Sequence, residues 1–431
     1  MGTTESQKAA VAVLLEDCVV KAETLAPLLE NLHGFLARYQ PLLVRREQRD
    51  LGLVYVEGLL SALERKSIEP IATDHGRPRR ALQRFVGAGL WKDDPLMAEL
   101  RRHVSEELGA DDGILTIDPS SFPKKGVDSV GVARQWCGRL GKTDSCQVGV
   151  YLGYQTAKGH TLVAHRLYLP KDWAADPTRR SKCHVPEGVE YRSSWQIADD
   201  LLVAHAHELP HRWIVSDEEF GRIGPFRAKL RARGEKYVLS FDATTSFEDL
   251  SLAPPEWKGR GRKPKYRPFI QAKDWAKQQK KWARIWVRDG EKEPVEFDAV
   301  SANIRARSQT RGKTPATDRA DERLVVLRTT GSRPEYRYWV TNDLETSLEE
   351  LVRVTARRHW IEDDFGRAKG RVGLGHYELR SWVGWHHHMT LACLALFFLA
   401  LEQRRAGGKN LRNHRPAGRL GSEPAPAKSA G

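Results

Sequence analysis

Two short apolar runs, each closed by an aspartate, constrain this chain more than any other feature. They are Ile114-Leu115-Thr116-Ile117-Asp118 and Trp213-Ile214-Val215-Ser216-Asp217. Each is too short for a helix and is rich in the β-branched and aromatic residues of buried strands. A carboxylate at the C-terminal end of a core strand projects from the sheet edge, where open α/β sheets bind ligands. Two such groups brought together repel unless a cation holds them, and oxygen-only ligands favour Mg2+ or Mn2+.

The surrounding pattern agrees with a mixed α/β sheet. Residues 10–105 read as helical, with Leu25, Leu28, Leu29, Leu32 and Leu36 recurring at three and four. Ser67-Ile68-Glu69-Pro70 is a stop and restart, and Gly76 breaks the chain before a short helix carrying Arg79, Arg80 and Arg84. Helix, glycine turn and basic helix outline a helix-turn-helix reader; an arginine-rich solvated face on a small bundle fits equally. After Leu108 the pattern turns to strands. Ile114–Ile117, Ser145–Gln155 and Thr161–Leu169 are followed by a helix over Ser194–His207, a strand at Trp213–Ser216, a helix at Phe226–Arg233 and a strand at Lys236–Phe241.

Charge narrows the partner. Lys and Arg number 70 against 56 Asp and Glu, a net +14, which favours a polyanion, most often nucleic acid. Twelve of those cations lie between Lys258 and Arg288 with one acid, Asp274, and six aromatic residues interleaved from Trp257 to Trp286. Cations with aromatics suit backbone charge plus base stacking, although a charge run is more often a solvated face. Trp282–Arg288 with Val295–Ile304, and Arg323–Arg328 with Tyr336–Val340, read as hairpins. Lys124 and Lys125, just after the first acid, suit a phosphate grip or a solvated loop. The five cysteines are scattered and odd in number, so no disulfide frame is expected. The first 21 residues lack an export signal pattern, and the apolar run Met389–Leu401 of 13 residues reads as a buried helix rather than a membrane span. His386-His387-His388 point in different directions on a helix, which suits packing or DNA contact better than one shared ion.

A third acid is expected from a helix. In Arg358 through Lys369, a step of four lies about 40° off and a step of seven returns to within roughly 20°. Arg358, Glu362 and Lys369 thus share one stripe, which suits a metal flanked by phosphate-binding cations. Spacing leaves rivals open: Asp363 and Asp364 for this position, Asp242 for the second acid, and Asp111 and Asp112 for the first. An aspartate at a strand end is also a common turn residue, and an Arg–Glu pair four apart is usually a surface salt bridge.

Thr116-Ile117-Asp118-Pro119-Ser120-Ser121-Phe122-Pro123-Lys124-Lys125-Gly126, Val215-Ser216-Asp217-Glu218-Glu219-Phe220-Gly221, Trp360-Ile361-Glu362 through Lys369, and Trp382-Val383-Gly384-Trp385-His386-His387-His388-Met389-Thr390-Leu391 together resemble a bacterial insertion-sequence DDE transposase, nearest to the insertion sequence 701 family. Arg45-Arg46-Glu47-Gln48-Arg49 and Leu82-Gln83-Arg84-Phe85 extend the resemblance to the N-terminal region. It implies an RNase H-like core of mixed sheet and flanking helices, interrupted by a β-rich insertion and preceded by an all-helical domain. The implied catalytic and metal-holding acids are Asp118, Asp217 and Glu362. Arg358 and Lys369 match the Arg and Lys of a Tyr, Arg, Glu, Lys signature, while its Tyr position falls on Thr355, a departure.

The chemistry so implied is two-metal phosphoryl transfer: Mg2+, with Mn2+ able to substitute, activates water and later a DNA 3′-hydroxyl for attack on phosphorus. The expected DNA contacts are Arg358, Lys369, Lys124, Lys125, Arg79, Arg80 and Arg84. The expected partners are the double-stranded terminal inverted repeats and the target DNA, with a homodimer in the synaptic complex, no membrane, and a cytoplasmic, nucleoid-associated location. The expected division is a helical DNA-binding part over 1–108, core over 109–248, basic insertion over 249–343, final core helices over 344–405 and a disordered tail over 406–431. Two alternatives stand beside this reading: an inactive or domesticated DNA-binding derivative, and a metal-dependent endonuclease without strand transfer.

Overall fold

The computed structural model describes residues 27–257, 259–260, 267–288, 294–306, 320–331 and 333–406. Cys18, the Asp289-Gly290 hairpin tip, part of the basic stretch after Trp257 and the tail beyond Ala406 lie outside them.

The leucine periodicity becomes α1 (Leu28–Ala37), which buries Leu28, Leu32, Phe35 and Leu36. Four helices follow: α2 (Arg46–Leu60), α3 (Ile68–Asp74), α4 (Arg79–Ala88) and α5 (Asp93–Leu108). Ser67 takes the N-cap position of α3. The chain then enters the sheet through β1 (Ile114–Pro123), β2 (Ala133–Cys137), β3 (Lys142–Thr156) and β4 (Gly159–Leu167). Two short helices, α6 (Lys171–Ala174) and α7 (Pro177–Lys182), precede α8 (Ser194–His205), and β5 (Trp213–Ser216) follows. The short α9 (Glu218–Gly221) and α10 (Gly224–Ala232) lead to β6 (Tyr237–Ser240).

The order β4-β3-β1-β5-β6, with β1 antiparallel to β3 and parallel to β5, is the expected RNase H-like arrangement. The first strands are a meander, and the parallel ones are joined through helices, as parallel pairing requires. The sequence pattern does not mark β2, because Ala133-Arg134-Gln135-Trp136-Cys137 has no apolar run; pairing with the start of β3 makes it a strand.

The insertion forms β7 (Ser246–Asp249), β8 (Phe269–Gln271), α11 (Ala272–Gln278), β9 (Ala283–Arg288), β10 (Val295–Ala306), β11 (Glu322–Thr329) and β12 (Tyr336–Thr341). Both expected hairpins are present. β12 pairs with β6, so these strands continue the core sheet into one of 12 strands among the described residues. A buried ion pair locks the join: Glu322 of β11 accepts from Arg227 Nε at 2.8 Å and Arg231 Nη1 at 3.0 Å, and also from the Tyr237 hydroxyl.

Three helices close the fold: α12 (Leu348–Ala356), α13 (His359–Gly370) and α14 (Trp382–Arg405). Leu351, Val352 and Val354 of α12 pack with Ile114, Val215 and Val238 on one face of the sheet. α14 is long and apolar enough to cross a membrane, yet most of it is buried in protein. Its histidines are packing residues. His387 places its ring nitrogens 2.9 Å from the carbonyls of Val86 and Trp91. His388 sits between the Tyr55 hydroxyl and the Leu374 carbonyl, and His386 bonds Trp382 one turn back. The four cysteines among the described residues are free and buried.

Candidate active site

β1 and β5 run parallel with Ile114 opposite Trp213 through Ile117 opposite Ser216. Both strands therefore reach their aspartates at the same height. β5 ends at Ser216, and Asp217 takes the N-cap position of α9. β1 runs on to Pro123, with Asp118 opposite Tyr151 of β3. Asp118 is thus a mid-strand residue rather than the strand's end. It stands where its neighbour stops, which leaves a notch above it. Gly221 makes the turn after Asp217 fit, because a Cβ there would lie 1.8 Å from the Ser240 carbonyl oxygen of β6.

Strand alternation places Ile114, Thr116 and Asp118 on one face, and α13 packs over that face. Gly153 of β3 admits the helix: a Cβ there would meet Thr116 Oγ1 at 2.6 Å and Ile361 at 3.4 Å. Ile361 and Phe365 anchor α13 in the core. The Arg358–Glu362–Lys369 stripe then falls beside the aspartates. Arg358 Nη2 lies 3.2 Å from Glu362 Oε1. The Lys369 ammonium stands 5.4 Å from the Phe122 ring centre and 5.7 Å from that of Phe365.

The electrostatics report the convergence. Burial, then the neighbouring Asp217 carboxylate, push the Asp118 carboxyl well above the usual range; Arg358 opposes them, and Glu362 and Glu219 add to the rise. Burial and Glu219 push Asp217 up to about 6, against Arg358 and the amides of Phe220 and Glu219. Burial and Arg139 lower the Lys369 ammonium, while Asp118 raises it. Asp217 Oδ1 and Arg358 Nε are buried with no hydrogen-bond partner among the described residues. Glu219 is the member the sequence reading missed, although the acidic run Asp217-Glu218-Glu219 marks it.

The rival acids are occupied elsewhere. Asp242 accepts from the Thr244 amide at 2.6 Å and hydroxyl at 2.7 Å, an Asx-type turn. Asp364 bonds His160 at 2.7 Å, and Asp363 pairs with Arg367 at 2.7 Å. Asp111 and Asp112 are exposed, and Asp112 lies 3.9 Å from Arg357.

The remaining expected DNA contacts stand apart from this cluster. Lys124 donates to the Tyr377 carbonyl at 3.1 Å and lies 3.5 Å above that ring's centre, and burial lowers its ammonium to about 8. Lys125 is exposed. Arg79, Arg80 and Arg84 are exposed on α4, Arg79 within 3.2 Å of Glu69.

Chemically, the cluster is a set of hard oxygen donors with one orphaned buried oxygen, and such a set fits a divalent cation of the Mg2+ type. Among the described residues no three His, Cys, Asp or Glu side chains stand close enough to enclose an ion by themselves.

Residues 38–294 match the sequence family described as DDE superfamily endonuclease, and residues 194–398 match the transposase DDE domain. No curated protein matches the chain. Among solved structures, the chain is similar to the piggyBac transposase in a synaptic complex with hairpin DNA, at TM-score 0.41 and 9% identity over 95% of this chain and 77% of that one. It is also similar to the NurA nuclease from Sulfolobus solfataricus, at TM-score 0.25 and 9% identity over 62% and 79%.

Proposed function

The chain belongs to the DDE superfamily of endonucleases, and from that premise we propose that it is an insertion-sequence transposase of the 701 kind, cutting its element's ends and joining them to target DNA. The observation that carries this reading is the parallel register that brings Asp118 and Asp217 to one height of the sheet with Asp217 Oδ1 unpartnered, beside a helix whose Arg358 and Glu362 act on the charge of Asp118.

Asp118, Asp217 and Glu362 would hold two divalent ions, whose chemistry when bound is to activate water or a 3′-hydroxyl for attack on phosphorus. The protein's own residues do the positioning. Arg358, with its Nε unengaged, is placed to hold a non-bridging phosphate oxygen beside the acids, and Lys369 to neutralise charge at the other end of the same helical stripe. Burial of the carboxylates lowers the local dielectric and strengthens both interactions. Catalysis is then orientation and charge neutralisation with no covalent protein intermediate. The helical region over 1–108, carrying Arg79, Arg80 and Arg84, would bind the terminal repeats, and two copies would assemble on two ends at the bacterial nucleoid. The open face of Lys125 and the basic insertion would add backbone contacts.

The test supplies a duplex carrying the element's terminal inverted repeats with Mg2+. Joined product supports transposition, nicks without joining support the endonuclease alternative, and a shifted complex alone supports the inactive derivative. Asp118→Asn should abolish cleavage and leave end binding nearly intact; full cleavage by that variant overturns the site.

A further inference from the structure

α13 has a second cationic face. Successive residues turn by about 100°, so Trp360 and Arg367 point away from the stripe that faces the aspartates. On that far side they line a cleft of about 490 Å³. Its walls bring together Lys158 of the β3–β4 turn, Arg288 at the end of β9, Arg353 of α12 and Arg357 just after it, Arg367 of α13 and Arg404 of α14, and among the described residues no Asp or Glu lines it.

Three of these cations have a partner at its rim. Lys158 donates to the Gly109 carbonyl at 2.7 Å, Arg367 pairs with Asp363 at 2.7 Å, and Arg404 with Glu107 at 3.1 Å. The other three are weakly compensated or not at all among the described residues. Among the described residues Arg288 and Arg353 have no carboxylate within ion-pair distance, and Arg357 has only the loose 3.9 Å approach of Asp112. Like charges gathered around one concave surface raise the energy of the fold through self-repulsion and focus a positive potential into the cleft. Nothing in the packing requires that gathering: Arg353 is exposed and touches no acid. An anion seated in the cleft would account for it.

We propose that this cleft holds the sugar–phosphate backbone of the duplex flanking the cut, a second DNA contact across α13 from the active site. The inference rests on the DNA-acting reading above and adds where the duplex continues. Placement supports a duplex over a small anion. Gln155, beside the cleft's Thr156, lies opposite Ile114, and Ile114 is four residues from Asp118 along β1. At about 3.4 Å per residue the component of their separation along the strand is roughly 14 Å, or about four base steps of duplex, with the width of α13 added across it. The insertion supplies Arg288 and the core the rest, so the cleft also gives the insertion a site at which its basic character meets the core.

The test is binding of the metal-free full chain to a mixed-sequence DNA duplex across a range of salt concentrations, read by fluorescence anisotropy. Each lost phosphate contact lowers the slope of log K against log salt by about 0.9. Arg353→Gln with Arg357→Gln should therefore flatten the slope by about 1.8, and Arg288→Gln alone by about 0.9. Unchanged slopes in variants that melt like the parent overturn the cleft while leaving the DNA-acting reading intact. Failure of the parent itself to bind the duplex overturns that reading as well, so the two failures are distinct. Should the double variant not fold, the Arg288→Gln slope decides.

Discussion

The carboxylate cluster makes the metal-free fold sensitive to pH in a direction that one substitution can isolate. Asp217 sits at about 6 against an ordinary 3.8, chiefly through burial and then through Glu219. Its carboxyl therefore keeps its proton in the folded state at pH values where the unfolded chain has lost it. Folded protein binds more protons between about 4 and 6, so stability falls as pH rises through that window. Above it the penalty is complete. The difference of about 2.2 pH units, at 1.36 kcal/mol each, gives about 3 kcal/mol as an upper bound. Asp217→Asn removes the titrating charge. In chelator, the variant should gain on the parent by up to about 3 kcal/mol more at pH 8 than at pH 4. Comparing the two pH values cancels any pH-independent effect of the amide, including altered contact with the α9 amides. Thermal melts of both proteins at both pH values are the assay. On the proposed reading, added Mg2+ should then stabilise the parent at pH 8 more than the variant, because only the parent keeps both aspartate carboxylates. An equal difference between parent and variant at the two pH values would refute the reasoning, since it would mean that Asp217 is solvated and uncoupled.

Two further substitutions test the scaffold that brings the acids together. Glu322→Gln removes the buried charge that faces Arg227 and Arg231 across the join, and should destabilise the fold by about 3–5 kcal/mol; a loss under about 1 kcal/mol in denaturant titration would show that the insertion does not depend on this lock. Gly221→Ala drives a methyl against the Ser240 carbonyl, a backbone atom that cannot move cheaply, and should cost about 2–3 kcal/mol. Because that turn places Asp217, cleavage should fall more than DNA binding, and wild-type cleavage would refute its positioning role.

The parts of this molecule legible from sequence are those where a local rule and the tertiary result coincide. β5 was legible to the residue because Trp213-Ile214-Val215-Ser216 is buried on both faces, and its apolar composition says so. β1 was legible only for its first half. Past Asp118 the residues Pro119-Ser120-Ser121 carry no strand signal, and it is pairing with Val150, Gly149 and Val148 of β3 that keeps them extended. The same holds for the insertion: its hairpins follow from local alternation, but nothing local states that Trp339 of β12 will pair with Ser240 of β6 and fuse the insertion to the core.

The third acid shows where helical arithmetic runs out. Glu362, Asp363 and Asp364 are consecutive, and the stripe of cations favoured the first without excluding the others. The partner on the far side decides. His160 takes Asp364 at 2.7 Å and lies 3.5 Å from Asp363, while Ile361 packs over Gly153 and Glu362 is the helix acid that adds to the rise of the Asp118 carboxyl. A chain selected only for stability would not keep two aspartates where burial and neighbouring acids raise their energy, nor leave a buried carboxylate oxygen without a donor. The disfavoured charge is therefore the informative part of the site: on the proposed reading a divalent cation would offset it, and the pH-resolved melt of Asp217→Asn measures that unfavourable charge directly.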